Sequence, residues 1–263
     1  MHTVTLNGLT HHVAVTGDPA GPPVVFANAL GTDLRVWDRL LPHLPGGLRV
    51  IRYDMRGHGL SDGAAGPWSI DDLADDLAGI LDALGIGPAV ICGLSVGGMV
   101  AQSLAARHPG RVRALILLDT AVRIGTVSLW DERIATVRDA GIAALADAIL
   151  ARWFPEGFRG TDPSLPLWRN MLIRTPAEGY AATCAAIRDA DLTESTRALS
   201  VPTLALVGSE DGSTPPDLVR ATADLVPGAR FAVIPAAGHL PCVDAPEVTA
   251  RHITDFLRET GHA

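Results

Sequence analysis

The stretch most suggestive of chemistry is Gly93-Leu94-Ser95-Val96-Gly97-Gly98. It fits the pattern GxSxG, in which a serine sits on a strained strand-to-helix turn and small flanking residues let neighbouring backbone pass. A serine hydroxyl is a weak nucleophile. It needs a base to take its proton and an acid to orient that base. His239, in Ala236-Ala237-Gly238-His239, is the candidate base, and Asp211, in Gly208-Ser209-Glu210-Asp211, the candidate acid. Each follows a short apolar run, so all three residues would stand just past strand carboxyl ends, the edge at which α/β sheets bind ligands. Glu210 competes with Asp211, but its side chain would point away if Asp211 points inward. Asp119, after the run Ala114–Leu118, is a second rival at the same edge. A glycine-rich turn or a surface histidine alone carries no chemistry; the joint set, in the order Ser95, Asp211, His239, points to nucleophilic catalysis with Asp211 as the preferred acid. An oxyanion then needs donors. The backbone N–H of Val96 is one, and that of Leu30, in Asn28-Ala29-Leu30-Gly31-Thr32, is the other.

The elements that must hold these residues are legible in the apolar pattern. Asn7-Gly8 between Val4–Leu6 and His12–Val15 signals a two-residue hairpin. Further short runs are Val24–Ala27, Arg49–Tyr53, Ala89–Cys92, Ala114–Leu118, Thr203–Val207 and Phe231–Ile234. They read as strands buried on both faces, as in a parallel sheet. Helical periodicity separates them: Ile70–Leu84 carries a stripe of Leu73, Leu77, Ile80, Leu81 and Leu84, and Val96–Arg107, Asp217–Leu225 and Pro246–Leu257 are similar. Strands alternating with helices imply an α/β fold with a mostly parallel, doubly wound sheet. From residue 122 to 191 only helical patterns occur. The expected organisation is a core of residues 1–121 and 192–263, with residues 122–191 inserted as a helical lid between the candidate catalytic residues.

Composition removes whole classes of function. The chain has 263 residues, enough for one large domain and a full core. There are 21 basic and 29 acidic residues, a net charge of −8, which argues against a nucleic-acid or anionic-membrane partner. Every basic residue is arginine. Without lysine there is no Walker A lysine and no Schiff-base lysine, so P-loop NTPases, protein kinases and pyridoxal enzymes are excluded. No HExxH and no strand-following GxGxxG occurs, so neither a metal nor another cofactor is expected. Cys92, Cys184 and Cys242 are widely spaced and form no CxxC, which fits a reducing compartment. The N-terminus lacks a basic segment followed by an apolar run, so a cytoplasmic location is expected. Ala83–Ala106 carries no charge, but Pro88 and the glycines divide it, and Ser95, Gln102 and Ser103 make it too polar for a membrane span. His11 and His12, in the hairpin, read as solvated, and His58 as part of a structural loop.

These residues together resemble the α/β-hydrolases, over essentially the whole chain: Arg52-Tyr-Asp-Met-Arg-Gly-His-Gly-Leu-Ser61, Cys92-Gly-Leu-Ser-Val-Gly-Gly98, Gly208-Ser-Glu-Asp211 and Gly238-His239. Within them the chain is similar to the β-ketoadipate (3-oxoadipate) enol-lactonases. The loop Asn28-Ala-Leu-Gly-Thr-Asp-Leu-Arg-Val-Trp-Asp38 and the insertion segments Ile124-Gly125-Thr126, Trp130-Asp-Glu-Arg-Ile134, Arg152-Trp-Phe154 and Tyr180-Ala-Ala-Thr-Cys-Ala-Ala-Ile-Arg-Asp-Ala-Asp191 carry that likeness. Two departures are Val96, where Met is more usual, and Ala29, where Ser is. Neither touches the candidate triad.

The resemblance implies a small-molecule substrate: an enol-lactone bearing a carboxylate, opened to 3-oxoadipate through an acyl-enzyme on Ser95. An acidic protein would need a local cation to hold such an anion. Arg133, beside Trp130, is the first candidate, with Arg152 and Arg188 as competitors and a solvated helix face the bland reading of each. Trp130 and Trp153 would wall the pocket or pack the insertion. The same triad would equally serve another lactonase, a carboxylesterase or a cofactor-free perhydrolase, whereas a non-catalytic ligand receptor has no need of all three residues.

Overall fold

The structure is a computed structural model, and it describes residues 2–63 and 66–263. The first two strands, β1 (His2–Leu6) and β2 (Leu9–Gly17), form the expected hairpin. Asn7 and Gly8 both take positive φ, 51° and 81°, and Leu6 pairs with Leu9. The remaining strands are β3 (Pro23–Ala27), β4 (Arg49–Tyr53), β5 (Ala89–Leu94), β6 (Val112–Leu118), β7 (Thr203–Gly208) and β8 (Arg230–Ile234). They build one eight-stranded sheet in the order β1-β2-β4-β3-β5-β6-β7-β8. β1, β2 and β4 pair antiparallel, and every later pair is parallel. All six residues of β5 and all six of β7 are buried, which explains why these strands read as continuous apolar runs rather than alternating ones.

Helices α1 (Ile70–Ala83) and α2 (Val96–Arg107) follow β4 and β5. Ser69 and Asp72 close a reciprocal capping box at the start of α1, satisfying donors that a helix end leaves open. α1 buries Leu73, Leu77, Ile80 and Leu81. α2 is buried almost all round, and its polar residues are paired: Gln102 Nε2 donates to the Gly98 carbonyl at 3.0 Å, and Ser103 Oγ to Asp71 at 2.6 Å. The uncharged stretch Ala83–Ala106 is thus a buried strand, a turn and a buried helix. Among the described residues no helix is long and apolar enough to cross a membrane.

Between β6 and β7 the chain is helical: α3 (Val127–Ala140), α4 (Ala146–Trp153), α5 (Glu156–Thr161), α6 (Leu165–Ile173), α7 (Ala177–Asp189) and α8 (Thr193–Arg197). α9 (Pro216–Ala223), α10 (Pro241–Asp244) and α11 (Pro246–Glu259) complete the fold. The insertion is fixed to the core by close backbone packing. A Cβ on Gly179 of α7 would lie 2.3 Å from the Gly57 carbonyl, so glycine is required where α7 crosses the Arg52–Ser61 segment.

Two expectations from the sequence need correcting. β8 is not buried on both faces: it is the sheet edge, Arg230 is exposed, and Phe231 is half-buried beneath the Arg220 guanidinium, 3.9 Å from its ring centre. His11 and His12 are not solvated. β2 lies between β1 and β4 rather than at a free edge, which buries both imidazoles. His12 Nδ1 sits 2.8 Å from Asp54 Oδ2, and His11 Nε2 3.9 Å from Asp76. Burial holds the His11 imidazole below its ordinary range.

Candidate active site

Ser95 stands at the junction of β5 and α2 with φ 57° and ψ −120°. Such a conformation is strained for a residue with a side chain and persists only when the surroundings enforce it. Here they do. The Ser95 N–H donates to the Leu118 carbonyl at 2.9 Å, and Thr120 Oγ1 donates to the Ser95 carbonyl at 2.6 Å. The turn also has no room for side chains beside the serine. A Cβ on Gly93 would lie 2.3 Å from the Gly97 carbonyl, and one on Gly97 would lie 2.2 Å from the Ala27 carbonyl. The GxSxG spacing is therefore a packing requirement of this turn.

His239 lies beyond β8 on a loop held at several points. Glu210 N–H donates to Ala237 O at 2.8 Å, Gly238 N–H to Asp244 Oδ2 at 2.8 Å, and His239 N–H to the Trp153 carbonyl at 2.8 Å. The imidazole is buried, and its Nδ1 lies 2.9 Å from Asp211 Oδ2. Asp211 accepts further from Ser213 N–H at 2.7 Å, Thr214 N–H at 3.1 Å and the Thr214 hydroxyl at 2.6 Å. Burial alone would raise its pKa, but the pull of His239 and these donors outweighs it and holds the carboxyl below its ordinary range. Nδ1 therefore carries the proton toward Asp211, and Nε2 is left as the acceptor. Glu210, the adjacent rival, is exposed.

Asp119 directly follows β6 beside this pair and is fully buried. Ligating atoms of Asp119, Asp211 and His239 lie within 4.8 Å of one another. A cation would need lone pairs that Asp211 has already engaged with four donors, so the cluster fits a hydrogen-bonded acid–histidine set. Asp119 does not touch the imidazole in place of Asp211; its Oδ1 accepts Gly208 N–H at 2.9 Å.

Ser95 and His239 line one narrow cavity, with about 50 Å³ of enclosed space, together with Leu30, Trp130, Arg133 and Trp153. Val96 is the first residue of α2, where a backbone N–H has no intrahelical acceptor. Leu30 lies within a turn in which Thr32 N–H and Oγ1 both return to the Ala29 carbonyl, at 3.2 and 2.9 Å. Trp130 Nε1 donates to the Ile124 carbonyl at 2.6 Å, which fixes its ring. The Arg133 guanidinium lies 4.9 Å from that ring's centre and, among the described residues, has no carboxylate partner. Arg188 is different: it pairs with Asp131 and Asp189 at 2.6 and 2.8 Å. Arg152 also lines the cavity but is exposed.

Tyr180, an aromatic of the insertion, also lines the cavity, as do Ser213 and Leu129, which their residue types did not single out. For Leu129 the signal was available, because it stands four residues before Arg133 on α3. Trp168, an aromatic of the same insertion, packs instead against Phe154 and donates to Ser164 Oγ at 2.8 Å. A wider groove of about 580 Å³, lined by residues including Leu34, Leu60 and Met171, lies apart from Ser95 and His239.

Comparison with known proteins agrees with this architecture. Residues 22–246 match the family model described as alpha/beta hydrolase fold. The chain is 35% identical over 213 residues to 3-oxoadipate enol-lactonase 2 of Acinetobacter baylyi, covering 81% of this chain and 80% of that protein. The crystal structure of the enol-lactonase from Burkholderia xenovorans LB400 superposes with a TM-score of 0.95 at 36% identity, covering 98% of this chain and 100% of that one. A thermophilic esterase from Thermogutta terrifontis, determined with malate bound, gives a TM-score of 0.91 at 34% identity, covering 99% and 97%.

Proposed function

The chain belongs to the alpha/beta hydrolase fold family, and from that premise we propose that it hydrolyses a small carboxylated enol-lactone, 3-oxoadipate enol-lactone, with Ser95 as nucleophile. The carrying observation is that Ser95, His239 and Arg133, which has no carboxylate partner among the described residues, line one narrow cavity, with His239 braced by Asp211. The likeness to enol-lactonases supports a lactone as the substrate class.

The reaction follows from the groups present. His239 Nε2 takes the Ser95 proton as Oγ attacks the lactone carbonyl. Backbone N–H groups of Val96 and Leu30 receive the developing oxyanion, a contribution worth on the order of 10²–10³ in rate per donor. Asp211 orients the imidazole and stabilises the imidazolium. Collapse breaks the ring C–O bond, and the imidazolium returns its proton to the enol oxygen. The acyl-enzyme then carries a tethered enol that can close the ring again. Tautomerisation to the ketone removes that internal nucleophile, and water activated by His239 releases the acid. Arg133 holds the substrate carboxylate, Trp130 and Trp153 wall the pocket, and residues 122–191 act as the lid that closes over it.

The test follows loss of enol-lactone ultraviolet absorbance with purified protein and a Ser95→Ala control. Turnover with kcat/KM of roughly 10⁴ M⁻¹s⁻¹ or above, abolished in Ser95→Ala, supports the assignment. A second reading, a carboxylesterase, is favoured by the likeness to the Thermogutta esterase. Serine-dependent cleavage of simple esters without lactone turnover would select it.

A further inference from the structure

Beneath the candidate triad lies a buried carboxyl that the reaction above does not use. Asp119 has no solvent exposure. It carries φ 47°, a left-handed conformation uncommon outside glycine. Its backbone N–H is tied to the Leu206 carbonyl at 2.9 Å, and its Oδ1 accepts Gly208 N–H at 2.9 Å. Oδ2 is buried and receives no N–H or O–H. An oxygen of this carboxyl lies within 4.8 Å of both Asp211 and His239.

Two buried carboxylates within 4.8 Å of each other repel, which favours a proton on one of them. The donors decide which one holds the proton. Asp211 receives Ser213 N–H, Thr214 N–H, the Thr214 hydroxyl and His239 Nδ1, whereas Asp119 receives a single N–H. We propose that Asp119 is a positioning residue that works as a neutral carboxylic acid, its Oδ2 proton facing Asp211. The orphaned oxygen then becomes a donor, and Asp211 gains a further partner that keeps its charge and leaves the imidazole proton on Nδ1. At the same time Oδ1 pins the β7 end, from which Asp211 departs, to β6. The charge balance agrees with this assignment: burial first, and then the negative charge of Asp211, push the Asp119 carboxyl well above its ordinary range, with Asp244 adding in the same direction. Among the described residues, Asp211 on the β7 loop, His239 on the β8 loop and Cys242 and Asp244 on α10 are the ionisable groups around it.

The proposal rests on Ser95, His239 and Asp211 acting as a triad, and its test does not depend on the lactone assignment. Infrared difference spectra of the full chain at neutral pH, against Asp119→Asn, should show one neutral carboxyl C=O band lost in the variant. Kinetics on an activated phenyl ester supply the second arm. Asp119→Leu should lower kcat about 10- to 100-fold with KM little moved, the rate equivalent of one charge-assisted hydrogen bond. Asp119→Asn, which keeps both an acceptor and a donor, should recover at least tenfold of that loss, and the downfield Nδ1 proton resonance of His239 should persist in Asn and shift in Leu. Absence of the neutral-acid band at neutral pH would overturn the proposal. So would an Asn variant as impaired as Leu, because the site would then require an anion. An Asp211→Asn variant less impaired than Asp119→Asn would instead make Asp119 the orienting acid. Loss of lactone turnover alone, with ester turnover and the band intact, would reject the substrate and leave Asp119 as assigned.

Discussion

The backbone N–H of His239 donates to the carbonyl of Trp153 at 2.8 Å. Trp153 is the last residue of α4, so the loop carrying the imidazole is fastened to the helical insertion. A Cβ on Gly238 would lie 2.3 Å from the same carbonyl. The position of α4 and the aim of His239 are therefore one structural variable.

Gly238→Ala should separate these two elements. The added methyl has backbone, not a flexible side chain, in its way, and overpacking of this kind costs about 1–3 kcal/mol. The melting temperature should fall by several degrees. kcat should fall by on the order of tenfold or more, because small misplacements of a catalytic group are magnified in rate. Thermal melts and steady-state kinetics on the same preparation check this. A variant with a lowered melting temperature and unaltered kcat would show that the Trp153 contact does not aim the imidazole.

Arg133 separates the two functional readings. Charge-assisted hydrogen bonds contribute about 1.5–3 kcal/mol, so Arg133→Met should raise KM for a carboxylated lactone about 10- to 100-fold. A neutral ester has no group for the guanidinium to hold, and its KM should change by less than about threefold. Measuring both substrates with one enzyme preparation makes the ratio the readout. An equal loss on both would assign Arg133 to packing against Trp130, 4.9 Å from its ring centre.

Ser95, Asp211 and His239, the proposed triad, stand out in the sequence because each feature depends only on local order. An apolar run, a tight turn and an apolar helix mark Ser95, and the two loops follow short strands. What escaped it depends on neighbours distant in the chain. His12 meets Asp54 across 42 residues, because β4 rather than solvent covers β2. The edge position of β8 depends on strand order, which its apolar run does not encode. Asp119 was weighed as a rival acid, but its approach to Asp211, 92 residues later by numbering, is set by β6 and β7 being adjacent. The Trp153 carbonyl is backbone and leaves no side-chain signature.

Arg56 and Asp76 illustrate the same point within the Arg52–Ser61 motif. Arg56 makes two hydrogen bonds of 2.5 Å to Asp76 and lies 5.6 Å from the Trp68 ring centre. The side chains are 15% and 7% exposed, so removing one partner strands the other. Asp76→Ala should destabilise the fold by about 3–5 kcal/mol, read as a lowered midpoint in urea with an unchanged slope. Replacing both by apolar residues, Arg56→Met with Asp76→Leu, should recover a substantial part of that loss. A double variant no more stable than Asp76→Ala would show that the pair itself, rather than the abandoned charge, sets the cost.

Asp244 sets a pH dependence of stability with a definite sign. Its Oδ2 accepts Gly238 N–H at 2.8 Å, while Oδ1 is buried without a partner. Burial raises its pKa to about 7, against the opposing pull of that N–H and with help from Glu210 and Asp211. A folded-state value above the unfolded one means that the folded chain holds the proton longer. Below the ordinary carboxylate range both states are protonated, and the stabilisation is fully present. As pH rises through that range toward about 7, the unfolded chain ionises first and stability is lost progressively; above it both states are charged and the loss is constant. Asp244→Asn keeps an acceptor for Gly238 and cannot ionise. Its melting temperature relative to the parent should therefore climb from about pH 4 to about pH 7 and then level off. Taking the difference between the two proteins cancels every other titrating group they share. A difference that stays flat over this range would mean that Asp244 ionises at its ordinary pH, with solvent reaching its second oxygen.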